Sequence, residues 1–117
     1  MFAFKKTVVS DGAAPQTWFA MGVFYALHSL LAGGRFVVTA VRDGKHEPGS
    51  KHYTGEAFDM RVWYITPEQR ARIVEKAREL LDPLGYDIIS AETPGHQDHD
   101  HCEFDPKEGE IWVSSVN

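Results

Sequence analysis

Residues 57–91, AFDMRVWYITPEQRARIVEKARELLDPLGYDIISA, decide the fold class. Ala57–Ile65 alternates in part between apolar and polar positions, which predicts a strand. Thr66-Pro67-Glu68-Gln69 comes next. Thr66 offers a hydroxyl at the N-cap, Pro67 suits the first helical position and Gln69 completes a capping box. The helix should run to about Leu81, with Ile73, Val74, Ala77, Leu80 and Leu81 on its apolar face and Glu68–Arg72 as a favourable pair four residues apart. Pro83 and Gly85 end it, and Tyr86–Ala91 returns as a strand.

Working outward, Phe36–Val41 (FVVTAV) is β-branched and predicts a strand, whereas Arg42–Gly55 is dense in turn formers and polar residues and predicts a long loop. The apolar stretch Trp18–Leu31 predicts a buried helix, with Pro15 near its first turn and Gly33-Gly34 as its stop. Its Trp18, Phe19, Met21, Phe24, Tyr25 and Leu27 are expected in the core. Residues 1–9 suit a short strand. Downstream, Glu92–Gln97 predicts a loop, Asp98–Phe104 a strand and Ile111–Val116 a last peripheral strand. This order, with short links between the final strands, predicts an α+β fold: one small domain over residues 1–117, an antiparallel sheet with packed helices.

Composition bounds the function. A chain of 117 residues can bury about two-thirds of its unfolded surface, so it folds without covalent staples. Twelve Lys and Arg against 17 Asp and Glu give a net charge of −5, which disfavours a nucleic-acid partner. Cys102 is the lone cysteine, so no internal disulfide forms and a reducing compartment fits. The stretch 18–31 is too short for a membrane span and begins too late for an export signal. The expectation is a monomeric protein, cytoplasmic as synthesised. The acids between Asp87 and Glu110 are expected to form a mostly solvated face.

Chemistry concentrates in two segments: SKHYTGEAFDMR, with His52 and Asp59, and HQDHDHCEFD, with His96, His99 and His101. Strand alternation puts His99, His101 and Glu103 on one face and turns Asp98, Asp100 and Cys102 to the other. His52, Asp59 and His101 supply two imidazoles and a carboxylate, a three-ligand set that leaves a fourth position for water, as a catalytic zinc site requires. Spacing alone also admits a solvated His-x-His pair, an adventitious metal-binding loop or a non-haem iron site.

The run VTAVRDGKHEPGSKHYTGEAFDMR, followed by DHDHCEFDP, resembles the zinc D-alanyl-D-alanine peptidase superfamily. That group includes D-Ala-D-Ala carboxypeptidases and dipeptidases, phage L-alanyl-D-glutamate endolysins and the hedgehog signalling domain. Ser50, His52, Gly55, Ala57 and Asp59 match its pattern Ser-x-His-x2-Gly-x-Ala-x-Asp, and His99 and His101 match its later His-x-His. The resemblance spans roughly residues 36–107. It implies a hedgehog/DD-peptidase-like fold, Zn2+ on His52, Asp59 and His101, and hydrolysis of peptidoglycan stem peptides after release to the wall, as in phage-type members. His99 would stabilise the tetrahedral intermediate, and Arg42 lies near a family arginine that contacts substrate or oxyanion. Ser50 and Tyr53 would shape the loop, and His46 is expected as an exposed loop residue, with the rim of the cleft as its other reading. The departure concerns the general base. No carboxylate stands three or four positions before His99, so Glu92, at the end of the predicted strand, is the expected base, with TPGHQ bulging outward as an insertion. Asp98 is the second choice, and Glu103 lies too far along its strand. If none of them reaches the water, the chain would be a zinc-binding module without hydrolysis.

Overall fold

The helix boundaries obey the local signals, and the sheet beside them carries the candidate ligands on one face. The computed structural model describes residues 1–44 and 46–106. Its elements are β1 (Phe2–Phe4), α1 (Pro15–Ala32), β2 (Phe36–Ala40), β3 (Ala57–Arg61), α2 (Pro67–Leu81), a 3-10 turn at Asp82–Leu84, β4 (Tyr86–Ile89) and β5 (His99–Phe104). The five strands lie in the order β1-β2-β3-β5-β4. β1 runs parallel to β2, and the other pairs are antiparallel. The fold is therefore α+β. The expected strand over Ile111–Val116 lies outside the described residues.

The capping box at the start of α2 is formed as its sequence predicts. Thr66 Oγ1 accepts from the Gln69 backbone N–H at 3.1 Å, and the Gln69 side chain accepts from the Thr66 N–H at 2.9 Å. β3 is shorter than expected. It stops at Arg61, and Val62–Ile65 turns toward the helix, with the Ile65 N–H on the Val62 carbonyl. β2 carries an extra residue against β3, since Val38 faces Met60 but Ala40 faces Asp59. Such a bulge bends a strand and re-aims the residues beyond it.

Both helices cover one face of the sheet. Ala20, Met21 and Phe24 of α1 and Ile73, Ala77 and Leu81 of α2 pack on Phe36, Val38, Phe58, Met60 and Cys102. Trp18 and Phe19 do not join this core; they are 44% and 53% exposed. The reason is geometric. α1 is apolar around most of its circumference, but only the side bearing Ala20, Met21, Phe24, Leu27 and His28 faces the sheet. Trp18 instead packs edge-on against Phe4.

Asp100 also departs from the expectation of a solvated acidic face, being 1% exposed. Arg70 of α2 explains it. Its Nη2 and Nε reach Asp100 Oδ1 at 2.7 and 3.0 Å, and Ser90 Oγ donates to the same oxygen at 2.5 Å. The same guanidinium donates to the carbonyls of His96, Gln97 and His99. One helix side chain thus ties down the segment that leads into β5.

Candidate metal centre

On the sheet face away from the helices, Asp59 of β3 lies directly opposite His101 of β5. Directly opposed residues of an antiparallel pair place their side chains side by side, and Asp59 Oδ1 sits 2.8 Å from His101 Nδ1. His52 arrives from the preceding loop. Its Nε2 lies 3.3 Å from Asp59 Oδ1 and 3.2 Å from His101 Nδ1. Gly55 docks that loop onto the start of α1. Its φ is +75°, its carbonyl accepts from the Ala14 N–H at 2.9 Å and from Thr17 Oγ1 at 2.6 Å, and a Cβ would fall 2.3 Å from the Gly12 carbonyl oxygen. Only glycine fits both the backbone angle and the approach. Ser50 and Tyr53 shape the loop. Ser50 Oγ accepts the His52 N–H, and the Tyr53 hydroxyl bonds both backbone groups of His46.

The outer nitrogens of the two imidazoles are also held. His52 Nδ1 donates to the Val41 carbonyl at 2.7 Å, just beyond the β2 bulge, and His101 Nε2 donates to Glu103 Oε1 at 2.8 Å. Ligand histidines are commonly oriented through a carbonyl or carboxylate on the far nitrogen in this way. With protons on the outer positions, two imidazole lone pairs and a carboxylate oxygen converge on one point, an arrangement that calls for a cation between them. Burial disfavours charge on His101, but the hydrogen bonds to Asp59 and Glu103 outweigh it and push its pKa up to about 9. Burial likewise opposes charge on Asp59, yet the hydrogen bonds to His101 and His52 hold its carboxyl well below the usual range. A proton fills the point in the metal-free protein; a metal ion can take its place. Tetrahedral bonds of about 2.0–2.1 Å space their donors about 3.3–3.4 Å apart, close to the observed 2.8–3.3 Å. His52, Asp59 and His101 thus form a largely buried group that could hold a metal ion.

The triad opens onto a cleft of about 480 Å3, also lined by His46, Glu47, Ser50, His96 and His99. His99 reaches the cleft as expected, and its Nδ1 donates to Asp98 Oδ1 at 2.7 Å. His46 is part of the site rather than a free loop residue, stacked on His52 with ring centroids 3.9 Å apart. His96 also lines the cleft, so the TPGHQ segment does not simply bulge away.

Two expected residues are absent from this cleft. Glu92 points to another surface and pairs with Arg78 of α2, whose guanidinium also holds the Ile88 carbonyl. It lines a separate, larger cavity of about 1020 Å3 between α2 and residues 90–98, which has no imidazole in its walls. The arginine on the facing helix captures the carboxylate and turns it from the metal site. Arg42 is likewise displaced. Its Nη1 donates to the Asp11 carbonyl at 2.9 Å, beside Gly12. Sequence reasoning missed Arg70, which looks like an ordinary helix-surface arginine, and Glu47, whose loop has no periodicity to orient it.

Comparison of the chain with family models, curated proteins and solved structures finds no match.

Proposed function

We propose that the protein is a zinc-dependent metallopeptidase that hydrolyses amide bonds in peptidoglycan stem peptides, of the D-Ala-D-Ala carboxypeptidase or L-Ala-D-Glu endopeptidase type. The observation that carries this reading is the convergence of His52 Nε2, Asp59 Oδ1 and His101 Nδ1 beside an open cleft. The motif resemblance of SKHYTGEAFD and HDH supports the substrate class. Two nitrogens and one oxygen suit Zn2+, which when bound would lower the pKa of water and polarise a carbonyl.

The chain's own residues supply the rest. Asp98 fixes the His99 tautomer with the proton on Nδ1, leaving Nε2 free to accept a proton or, once protonated, to donate to a developing oxyanion. Glu47 and His96 also line the cleft and are candidates to move a proton between water and leaving amine. Glu92 is replaced in that role because Arg78 holds it elsewhere.

The position of Glu92 also favours a second reading, a zinc-binding module of this fold that does not hydrolyse. One experiment separates them. Metal content is measured, then purified cell wall is incubated with the protein, with and without chelator, and fragments are read by mass spectrometry. New peptide termini that vanish with chelator support the peptidase. Bound zinc without new termini supports the module.

A further inference from the structure

His96 and His99 line the cleft beside the triad without belonging to it. Their ring centroids lie 4.9 Å apart. Two imidazoles held by one tetrahedral ion through bonds of about 2.0–2.1 Å have centroids about 5 Å apart. The two triad imidazoles, His52 and His101, stand at 5.0 Å. The outer pair therefore repeats the spacing of the inner one.

Its nitrogens are set for the same use. His99 Nδ1 donates to Asp98 Oδ1 at 2.7 Å, and His96 Nδ1 donates to the Pro94 carbonyl at 3.3 Å. An oxygen acceptor on one ring nitrogen keeps the proton there and leaves the lone pair of the other for a ligand. Among the described residues neither Nε2 makes a hydrogen bond. The backbone of the pair is fixed from the core. Arg70 Nη2 donates to the His96 carbonyl at 2.7 Å and to the His99 carbonyl at 3.0 Å, and buried Asp100 neutralises the same guanidinium. One arginine nitrogen thus sets the two histidines side by side before any ligand arrives, which lowers the ordering cost of binding.

We propose that His96 and His99 form a second divalent-metal site, on the more open side of the cleft, ligating through Nε2. Water fills the remaining positions, and the Glu47 carboxylate in the same cleft offsets the added charge. Imidazole donors select Zn2+, Ni2+ or Cu2+ over Mg2+ and Ca2+. The site offers two nitrogens where the triad offers two nitrogens and a buried carboxylate, so it binds more weakly and fills second. Filling it takes the Nε2 that His99 would present to a developing oxyanion, so excess metal switches the centre off. That consequence rests on the peptidase reading; the site itself does not.

The test titrates metal-free full-length protein with Zn2+ against a chromogenic chelator and follows the imidazole nitrogens by NMR. Two equivalents should bind. The first should move the His52 Nε2 and His101 Nδ1 signals, and the second the His96 and His99 Nε2 signals. His96→Gln and His99→Gln, both at part-exposed positions, should each bind one equivalent. His52→Gln should weaken the first event and leave the response of the outer pair, which separates failure of the triad from failure of this site. Mg2+ in place of Zn2+ should leave both outer imidazoles unmoved. One equivalent in the native protein, two in His96→Gln, or a second equivalent that leaves His96 and His99 unmoved overturns the site. Cell-wall cleavage should rise to one equivalent and fall as the second binds, and the rate that His96→Gln retains should not fall with excess zinc. A rate undiminished with both sites filled overturns the switch. No cleavage at any metal level overturns the peptidase reading and the switch with it, while the titration alone decides the site.

Discussion

Arg70→Met removes the guanidinium that neutralises Asp100 and keeps most of the side-chain volume. Asp100 is 1% exposed, and both of its ionic hydrogen bonds come from Arg70, at 2.7 and 3.0 Å. Only the Ser90 hydroxyl would remain on Oδ1, and Oδ2 already has no partner among the described residues. Removing one member of a buried ion pair costs about 3–5 kcal/mol. The carbonyls of His96, Gln97 and His99 lose their donors as well, but the contact to Gln97 is exposed, where water can replace the arginine. A loss near 4 kcal/mol is a third or more of the stability of many small domains, which is about 5–15 kcal/mol. With a urea dependence near 2 kcal/mol per molar, the midpoint should fall by about 2 M. Urea unfolding followed by circular dichroism, with chelator in every sample, measures this without the metal's contribution. Arg70→Met/Asp100→Leu should recover at least half of the loss, because no charge is then left buried. A single-variant loss below about 1 kcal/mol, or a double variant no more stable than the single, would refute the assignment of Arg70 as the buried partner of Asp100.

Glu103→Gln should leave the fold intact and weaken metal binding about 10–100-fold, measured by competition with a chromogenic chelator, because His101 Nε2 loses its carboxylate; unchanged affinity would show that Glu103 does not orient the ligand. In the metal-free protein the His101 pKa is raised from 6.5 to about 9, so its contribution to stability is complete below about 6.5 and disappears as pH rises through about 9. Asp59 has the opposite sign: its carboxyl is lowered, so its contribution is present above about 4 and is lost as pH falls. Thermal melts in chelator should therefore be highest between about pH 4 and 6.5, and His101→Gln should flatten the alkaline side; an alkaline limb identical in that variant would contradict the coupling. Gly55→Ala should lower stability by more than the ~1 kcal/mol of a left-handed backbone alone, because its Cβ meets the Gly12 carbonyl at 2.3 Å; a melting temperature equal to the native one would count against the docking of the His52 loop. Glu92→Gln should keep metal and turnover, since Arg78 holds that carboxylate away from the cleft; turnover lost with metal retained would return Glu92 to the reaction.

Most of what neighbours along the chain govern was legible in the sequence, the turn that ends β3 at Arg61 excepted. The capping box at Thr66–Gln69, the proline start and glycine stop of α1 and the alternation that puts His99, His101 and Glu103 on one face are short-range effects of hydrogen bonding and backbone sterics, and all are present in the fold. The grouping of His52, Asp59 and His101 was one of several that spacing admitted; the motif resemblance singled it out, and the antiparallel pairing of Asp59 with His101 brings it together. The sequence could not say which long side chains cross between elements. Arg78 reaches from α2 to hold Glu92, and Arg70 reaches from the same helix to draw Asp100 inside. Trp18 and Phe19 are left outside because the sheet covers only one side of an apolar helix. These depend on where two surfaces lie relative to each other, and a charged side chain several bonds long settles on whichever opposite charge the packing brings within its reach.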